Sequence, residues 1–309
     1  MNKYIKILLY CILFAVIGGF VSCESYLDKT EASDINPDDA FKNFYNFQGF
    51  TEELYHCIPD FAKQQYNNSF NWGEEEHYSL NGVNQGILIS KLDLGNFWAW
   101  QKEFSPNDTW MDRAEWATNY TPGKTNGDVR WQKALWPLAW YGIAKANLGI
   151  ANLDKLTDAT DAEKKAIAGQ LYFFRGWFHF QLIQYFGGLP YIDHVIDVTR
   201  KVELPRESYK ACADKAALDF QKAVELLPMD WSTITTGVGN ELRVNKIMAL
   251  AYLGKNYLWA GSPLMNKVTT GSEDYNSEYC QKAADAFGEL LALVESGQTK
   301  YKLLDFGTL

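Results

Sequence analysis

The residues best suited to chemistry sit close together in one polar, ring-rich stretch. Glu74-Glu75-Glu76-His77 is the one carboxylate cluster near aromatic rings, with Trp72 before it and Tyr78 after it. Two carboxyl groups can hydrolyse a glycosidic bond when they face each other across the sugar. Adjacent acids on a loop seldom meet that geometry, and this run reads as a solvated charge patch. The rings point to binding instead. A sugar needs flat apolar faces to stack on, and amide or carboxylate groups to meet its hydroxyls. Trp72 and Tyr78 with Asn81 and Asn84, followed by Phe97-Trp98-Ala99-Trp100, supply both, and Trp110 and Trp116 follow. Trp72, Tyr78, Trp98 and Trp100 are therefore the candidate glycan-binding residues. The alternative for each is a core or interface ring.

Other chemistries find no support. The chain has no H-E-x-x-H, G-x-S-x-G or Walker sequence, and Gly237-Val238-Gly239 lacks the third glycine and the strand context of a dinucleotide fingerprint. The four histidines, His56, His77, His179 and His194, are scattered, and His179 falls within an aromatic helix face, where a satisfied core histidine is expected. No catalytic residue, metal ligand or cofactor is expected. Of the five cysteines, Cys57, Cys212 and Cys280 lie in the body of the chain, too few for a disulfide framework and without a C-x-x-C pair. They read as small buried hydrophobes.

The elements that must position these rings follow from periodicity. From Asn67 to Gly127 neither helical nor strand period persists, and long irregular stretches in a compact domain tend to be functional. A first helix is predicted from Pro37 to about Tyr55, ending before Pro59. Leu135 to Leu153, Ala162 to Tyr185, Ser208 to Leu227, Asn245 to Ala260 and Glu278 to Glu295 each carry apolar residues at i, i+3, i+4 and i+7. Breakers at Gly187-Gly188-Leu189-Pro190, Pro228, Gly237 to Asn240 and Gly261-Ser262-Pro263 separate them, and only Tyr191 to Val198 has short strand character. Trp131, Trp136, Trp140 and Tyr141 have helical spacing and read as core, with Pro137 acceptable only near a helix start.

Two helices carry the spacing of a tetratricopeptide second helix: Ala216, Phe220, Ala223 and Pro228 satisfy every step, and Ala283, Phe287 and Leu290 repeat its beginning. First-helix spacing appears at Leu250, Leu253, Gly254 and Tyr257, and more loosely at Leu171, Phe174, Arg175 and Phe178. A small residue lets the neighbouring helix approach, and the ring fills the groove beside it. The expected fold class is mainly α, a tetratricopeptide-like helical-repeat superhelix with long irregular aromatic-rich loops and with links longer than in the regular unit.

The start of the chain has its own logic. Lys3 and Lys6 precede an apolar stretch from Ile7 to Val21 that contains Gly18-Gly19 and stops short of the ~20 apolar residues a membrane span needs. Residues 1–22 read as a signal peptide. Phe20-Val21-Ser22-Cys23 resembles a bacterial lipobox, with Phe20 in place of the usual Leu, so Cys23 is the expected lipidation site. Residues 23–39 then form the lipidated Cys and a polar tether, and residues 40–309 the helical-repeat domain. The formal net charge is -9, and loss of the first 22 residues, with two lysines and no acid, leaves -11. Nucleic acid and anionic headgroups are poor partners for such a body.

The run from Gly169 to Pro190, GQLYFFRGWFHFQLIQYFGGLP, resembles the central signature of the SusD/RagB family, in which R-A-x-x-Y-F-x-L leads into F-G-x-x-P. Gly176 and Phe178 stand where that family usually has Ala and Tyr. Cys23 with Leu27-Asp28, then Tyr141, Ala146 and Asn147, Pro205-Arg206-Glu207-Ser208, Asp219, Ala223 and Leu227, and Arg243 with Ala249-Leu250-Ala251 and Tyr257-Leu258 resemble the flanking motifs in their order. The resemblance implies a lipoprotein anchored in the outer membrane and exposed at the cell surface. Such a protein binds a glycan and forms a lid over a TonB-dependent transporter of the SusC type, without enzymatic activity. Family members are usually much longer, so the chain is expected to lack the C-terminal portion. The alternative function is a helical-repeat scaffold for a protein or peptide partner.

Overall fold

The computed structural model describes residues 39–58, 135–197, 199, 201, 203–235 and 240–302. After Asp39 these lie in one compact unit, Ala40–Leu309. Its helices are α1 (Asp39–Lys42), α2 (Phe44–His56), α3 (Leu135–Ile150), α4 (Asp161–Phe186), α5 (Tyr209–Leu226), α6 (Lys246–Gly261), α7 (Pro263–Thr270) and α8 (Ser277–Glu295). Single 3-10 turns occur at Leu153–Lys155, Trp231–Thr233 and Asn240–Leu242. Among the described residues there is no strand, and no helix is long and apolar enough to cross a membrane.

Side-chain caps set where the helices begin. Asn43, Ser208, Asn245, Ser262 and Asn276 each accept a backbone N–H of the following turn, relieving donors that have no partner inside the helix. Thr160 and Glu163 form a reciprocal capping box at the head of α4. Asn43 also explains why the first expected helix is broken in two within its described part: its side chain caps Asn46 at 2.9 Å while Lys42 O accepts from Asp158 N at 3.0 Å. Ser262 caps α6 and α7 at once. The Gly261-Ser262-Pro263 breaker therefore ends one helix and immediately starts α7, because Pro263 occupies a first-turn position where no N–H is needed; this helix was absent from the sequence reading.

Successive helices run antiparallel. Gly142 meets Phe178 and Gly149 meets Leu171 between α3 and α4, while Gly169 meets Leu227 and Gly176 meets Asp219 between α4 and α5. Between α6 and α8 Gly254 meets Phe287 and Gly261 meets Cys280. The fold is the mainly helical, tetratricopeptide-like stack that the repeat spacing requires, with hairpins α4–α5 and α6–α8 as its two units. A Cβ on Gly176 would lie 3.0 Å from Asp219 Cβ and 3.2 Å from Ala216 O. Gly176 in place of Ala thus allows α4 and α5 their close approach.

Helix α4 is the axis of the stack. Ala166 to Leu171 and Phe173 to Ile183 are buried without interruption, polar residues included. A helix enclosed on every side has no polar stripe, and packing against α2, α3, α5 and α6 accounts for this one. Cys57 and Cys212 are buried and Cys280 partly buried, all as free thiols. Trp136, Trp140 and Tyr141 are half-buried, packed on the core edge more than within it.

Candidate functional site

The polar residues enclosed by α4 form one network. Arg175 holds Asp219 in a fork, Nε to Oδ2 at 2.8 Å and Nη2 to Oδ1 at 2.6 Å. Its Nη1 donates to Asn147 Oδ1 at 3.1 Å and to the Asp193 carbonyl at 2.9 Å. The Tyr191 hydroxyl donates to Asp219 Oδ2 at 2.7 Å. Burial opposes the charge on Arg175, but the Asp219 hydrogen bonds and charge outweigh it and raise its pKa above the ordinary value. Burial, reinforced by the Asp219 charge, keeps the Tyr191 phenol protonated well above its usual range.

His179 completes the network without a charge. Its ring stacks on Tyr191, centroids 3.7 Å apart, with Nδ1 2.8 Å from Arg175 O and Nε2 accepting the Ile192 N–H at 3.1 Å. Those partners require the proton on Nδ1. Burial lowers its pKa to about 3, helped by the Arg175 charge.

The network exists to hold a segment with no secondary structure of its own. Residues 189–193 cross α3, α4 and α5 without regular secondary structure. Their backbone groups are met by Asn147 Nδ2 (to Ile192 O, 2.8 Å), Arg175, His179 and the Cys212 thiol (to Leu189 O, 3.1 Å). The strand character read for Tyr191 to Val198 is corrected for residues 191–197, none of which lies in a strand: side chains, not a neighbouring strand, satisfy the backbone of Ile192 and Asp193. Arg206 donates to Phe186 O at 2.7 Å and to Gly188 O, closing the carbonyl end of α4 where Gly187 has φ 70°.

A second set of hydrogen bonds and ion pairs holds α2 against α3, α4 and residues 243–244. Residues 59–134 join α2 to α3. Gln48 and Gln170 exchange hydrogen bonds at 2.8 and 3.2 Å, Tyr55 OH donates to Gln170 at 2.8 Å, and Val244 N donates back to Tyr55. Glu53 takes Lys145 at 2.6 Å and Tyr141 at 3.1 Å, and Arg243 pairs with Glu52. Trp136, at the start of α3, packs edge-on to Phe186 with centroids 4.8 Å apart. Trp72, Tyr78, Trp98 and Trp100 lie outside the described residues, as do Glu74 to His77 and Cys23.

One open groove, of about 380 Å³, lies between α5 and α8 with α6 as its floor. Val224, Leu250, Leu253, Tyr257 and Ala286 give it an apolar lining, with Gln221 bound to the Tyr257 hydroxyl at 3.1 Å. Its charged groups already have partners: Lys282 with Glu278, Asp285 with Gln281 and Glu289 with Lys246. Among the described residues no group of three or more His, Cys, Asp or Glu could hold a metal ion. The described residues thus offer a helical scaffold and an apolar groove.

Sequence reasoning identified Asn147, Arg175 and Asp219 as motif residues but not as partners, and it missed the part Tyr191 plays with them. The available signal was Asp219 itself. It sits on the stripe of Cys212, Ala216, Phe220 and Ala223, all buried, and an acid there needs a partner.

Residues 25–258 match a family model, SusD-like_3, described as starch-binding and associating with the outer membrane. SusD-like protein P2 of Formosa agariphila is 31% identical over 262 residues, covering 84% of this chain and 44% of that protein. The chain therefore spans under half the length of this curated relative. A solved SusD homolog from Bacteroides thetaiotaomicron superposes with a TM-score of 0.56 at 18% identity, over 88% of this chain and 44% of the other. A laminarin-binding SusD-like protein gives 0.53 at 16% identity, over 85% and 47%.

Proposed function

The chain belongs to the SusD-like family, and from that premise we propose that it captures a carbohydrate at the outer membrane and delivers it to a TonB-dependent transporter of the SusC type. The observation that carries this reading is the family match over residues 25–258, the greater part of the chain. The sequence adds the anchor: Cys23, behind a short cationic and apolar leader, would hold the protein to the membrane by lipid and expose the body at the cell surface. It also adds the ligand face, with Trp72, Tyr78, Trp98 and Trp100 as stacking rings carried between α2 and α3. The part played by the described residues is mechanical. They form a packed frame that fixes the two ends, α2 and α3, between which the sequence carries the rings. The role is binding and transfer, not hydrolysis.

Calorimetry of the full-length protein against a polysaccharide panel that includes starch and laminarin tests the ligand class. Heat from at least one glycan, lost when Trp72, Trp98 and Trp100 are replaced by Ala in a folded protein, is the expected result. Absence of binding to every glycan would refute the carbohydrate reading and favour a protein or peptide partner. Co-purification of a SusC-like barrel tests the delivery step, and palmitate labelling that disappears in Cys23→Ala tests the anchor.

A further inference from the structure

We infer that a single water molecule is built into the junction of the two hairpins, bound by the phenol of Tyr209. Tyr209 opens α5 and is 2% exposed, yet its hydroxyl oxygen has no hydrogen-bond partner in the protein. Tyr209 lines a cavity of about 10 Å³, which is about the space one water molecule needs. Four helices meet there: the start of α5, the end of α6 at Ala260, the end of α7 at Thr269 and Thr270, and the approach to α8 at Asn276.

The lining leaves hydrogen-bonding capacity free. Thr269 and Thr270 spend their hydroxyl protons within α7, on Met265 O at 2.8 Å and Asn266 O at 2.9 Å; Thr269 keeps its lone pairs to accept with, and Thr270 keeps one beside that used by the Ser272 N–H at 3.3 Å. The Asn276 amide makes one long contact to Asn266 Oδ1 at 3.4 Å and has a second N–H. A buried water takes about three such partners, and Tyr209 supplies one more. A cation fits poorly, because Lys210 also lines the cavity and carries a positive charge, 2.8 Å from Asp214. The water would fasten α7, the helix that interrupts the two-helix repeat, to the head of the first hairpin.

The sign of the effect of Tyr209→Phe on thermal stability tests the inference. Phe keeps the ring and removes only the hydroxyl. If a water is bound there, Tm falls by about 2–4 °C, since the water loses a partner and the groups it joined lose their link. If the hydroxyl is dry, its removal leaves Tm unchanged or higher, and the inference fails. Thr269→Val supplies a second handle: with a shared water the shift in the double variant is smaller than the sum of the single shifts, whereas additive shifts overturn it. A high-resolution crystal structure of the full-length protein should show one ordered water within hydrogen-bond distance of Tyr209 Oη and a side chain of α7 or Asn276. A cavity without density there would refute the proposal.

Discussion

Where α4 carries Arg175, the equivalent place in α6 carries Gly254, if Leu171, Phe174 and Phe178 are laid over Leu250, Leu253 and Tyr257. Where α5 carries Asp219, α8 carries Ala286, if Ala216, Phe220 and Ala223 are laid over Ala283, Phe287 and Leu290. The first hairpin holds a buried, forked ion pair and the second a glycine whose free space is filled by the Phe287 ring. This difference decides what lies beside each hairpin. Next to Arg175 and Asp219 residues 189–193 are fastened down, whereas next to Ala286 the groove is open. One repeat spacing thus supports a pinned crossing in one unit and an apolar groove in the other. The ion pair is weak evidence for net stability, since burying two charges costs several kcal/mol. What it secures is the position of a segment that has no ladder of its own.

Breaking the pin should produce the largest effect. Asp219→Ala leaves Arg175 charged and enclosed and deprives Tyr191 of its acceptor, and should cost about 3–5 kcal/mol in urea unfolding. The double variant Arg175→Leu, Asp219→Leu should lose less than the single change, because no charge is then left uncompensated. Equal losses would mean that the pair itself, and not the avoidance of a lone buried charge, holds the crossing. The matching test in the second hairpin is Gly254→Ala. A new Cβ would lie 2.6–2.8 Å from three ring atoms of Phe287, and forcing that contact costs up to about 3 kcal/mol. Helix propensity works in the opposite direction by about 1 kcal/mol, so a net loss shows that close packing governs this site. Phe287→Leu should recover part of it.

His179 provides a contrast in pH dependence, since the matching position in α6 is Leu258. Burial lowers its folded pKa to about 3, while in the unfolded chain it takes a proton near pH 6.5. Between these values the unfolded state binds more protons, so the stability His179 contributes is complete above about pH 6.5 and is lost as pH falls toward 3. Between pH 7.5 and pH 5 the loss should be roughly 2 kcal/mol. Comparing unfolding of the wild type and His179→Gln across that range isolates it, since carboxylates titrate alike in both. Parallel curves would show that the ring is reached by solvent or carries its proton when folded.

The same comparison shows what could be read from the sequence. The helices of both hairpins were legible because their apolar stripes and small-residue positions follow a local period, and local period is what a chain displays. Arg175 and Asp219 were visible as motif residues, but their pairing was not: they are 44 positions apart, and only the antiparallel return of α5 brings them together. Tyr191 was misread as strand because its residue pattern looks the same whether the backbone beside it is satisfied by a neighbouring strand or by Asn147, Arg175 and His179. Helix α7 was missed since Gly261-Ser262-Pro263 signals both an end and a beginning, and only Ser262 capping in both directions distinguishes a stop from a restart. For the ligand face, the legible part is composition alone, the rings and amides around Trp72, Tyr78, Trp98 and Trp100.

The smallest effect tests whether the pinned hairpin depends on distant contacts more than on local ones. Thr160 and Glu163 close the capping box at the head of α4, with Thr160 N to Glu163 Oε2 at 2.8 Å, both residues at the surface. Thr160→Ala removes one half of the box and should cost about 1 kcal/mol. The head of α4 lies a few turns from Arg175, and the helix is buried from Ala166 onward, so fraying should stop at the first enclosed turn. Hydrogen exchange should therefore accelerate for the first few amides of α4 in this variant and stay unchanged from Leu171 to Ile183. If exchange rose across the whole helix, the cap and not the ion pair would be holding α4 in place, and the contrast between the two hairpins would lose its physical basis.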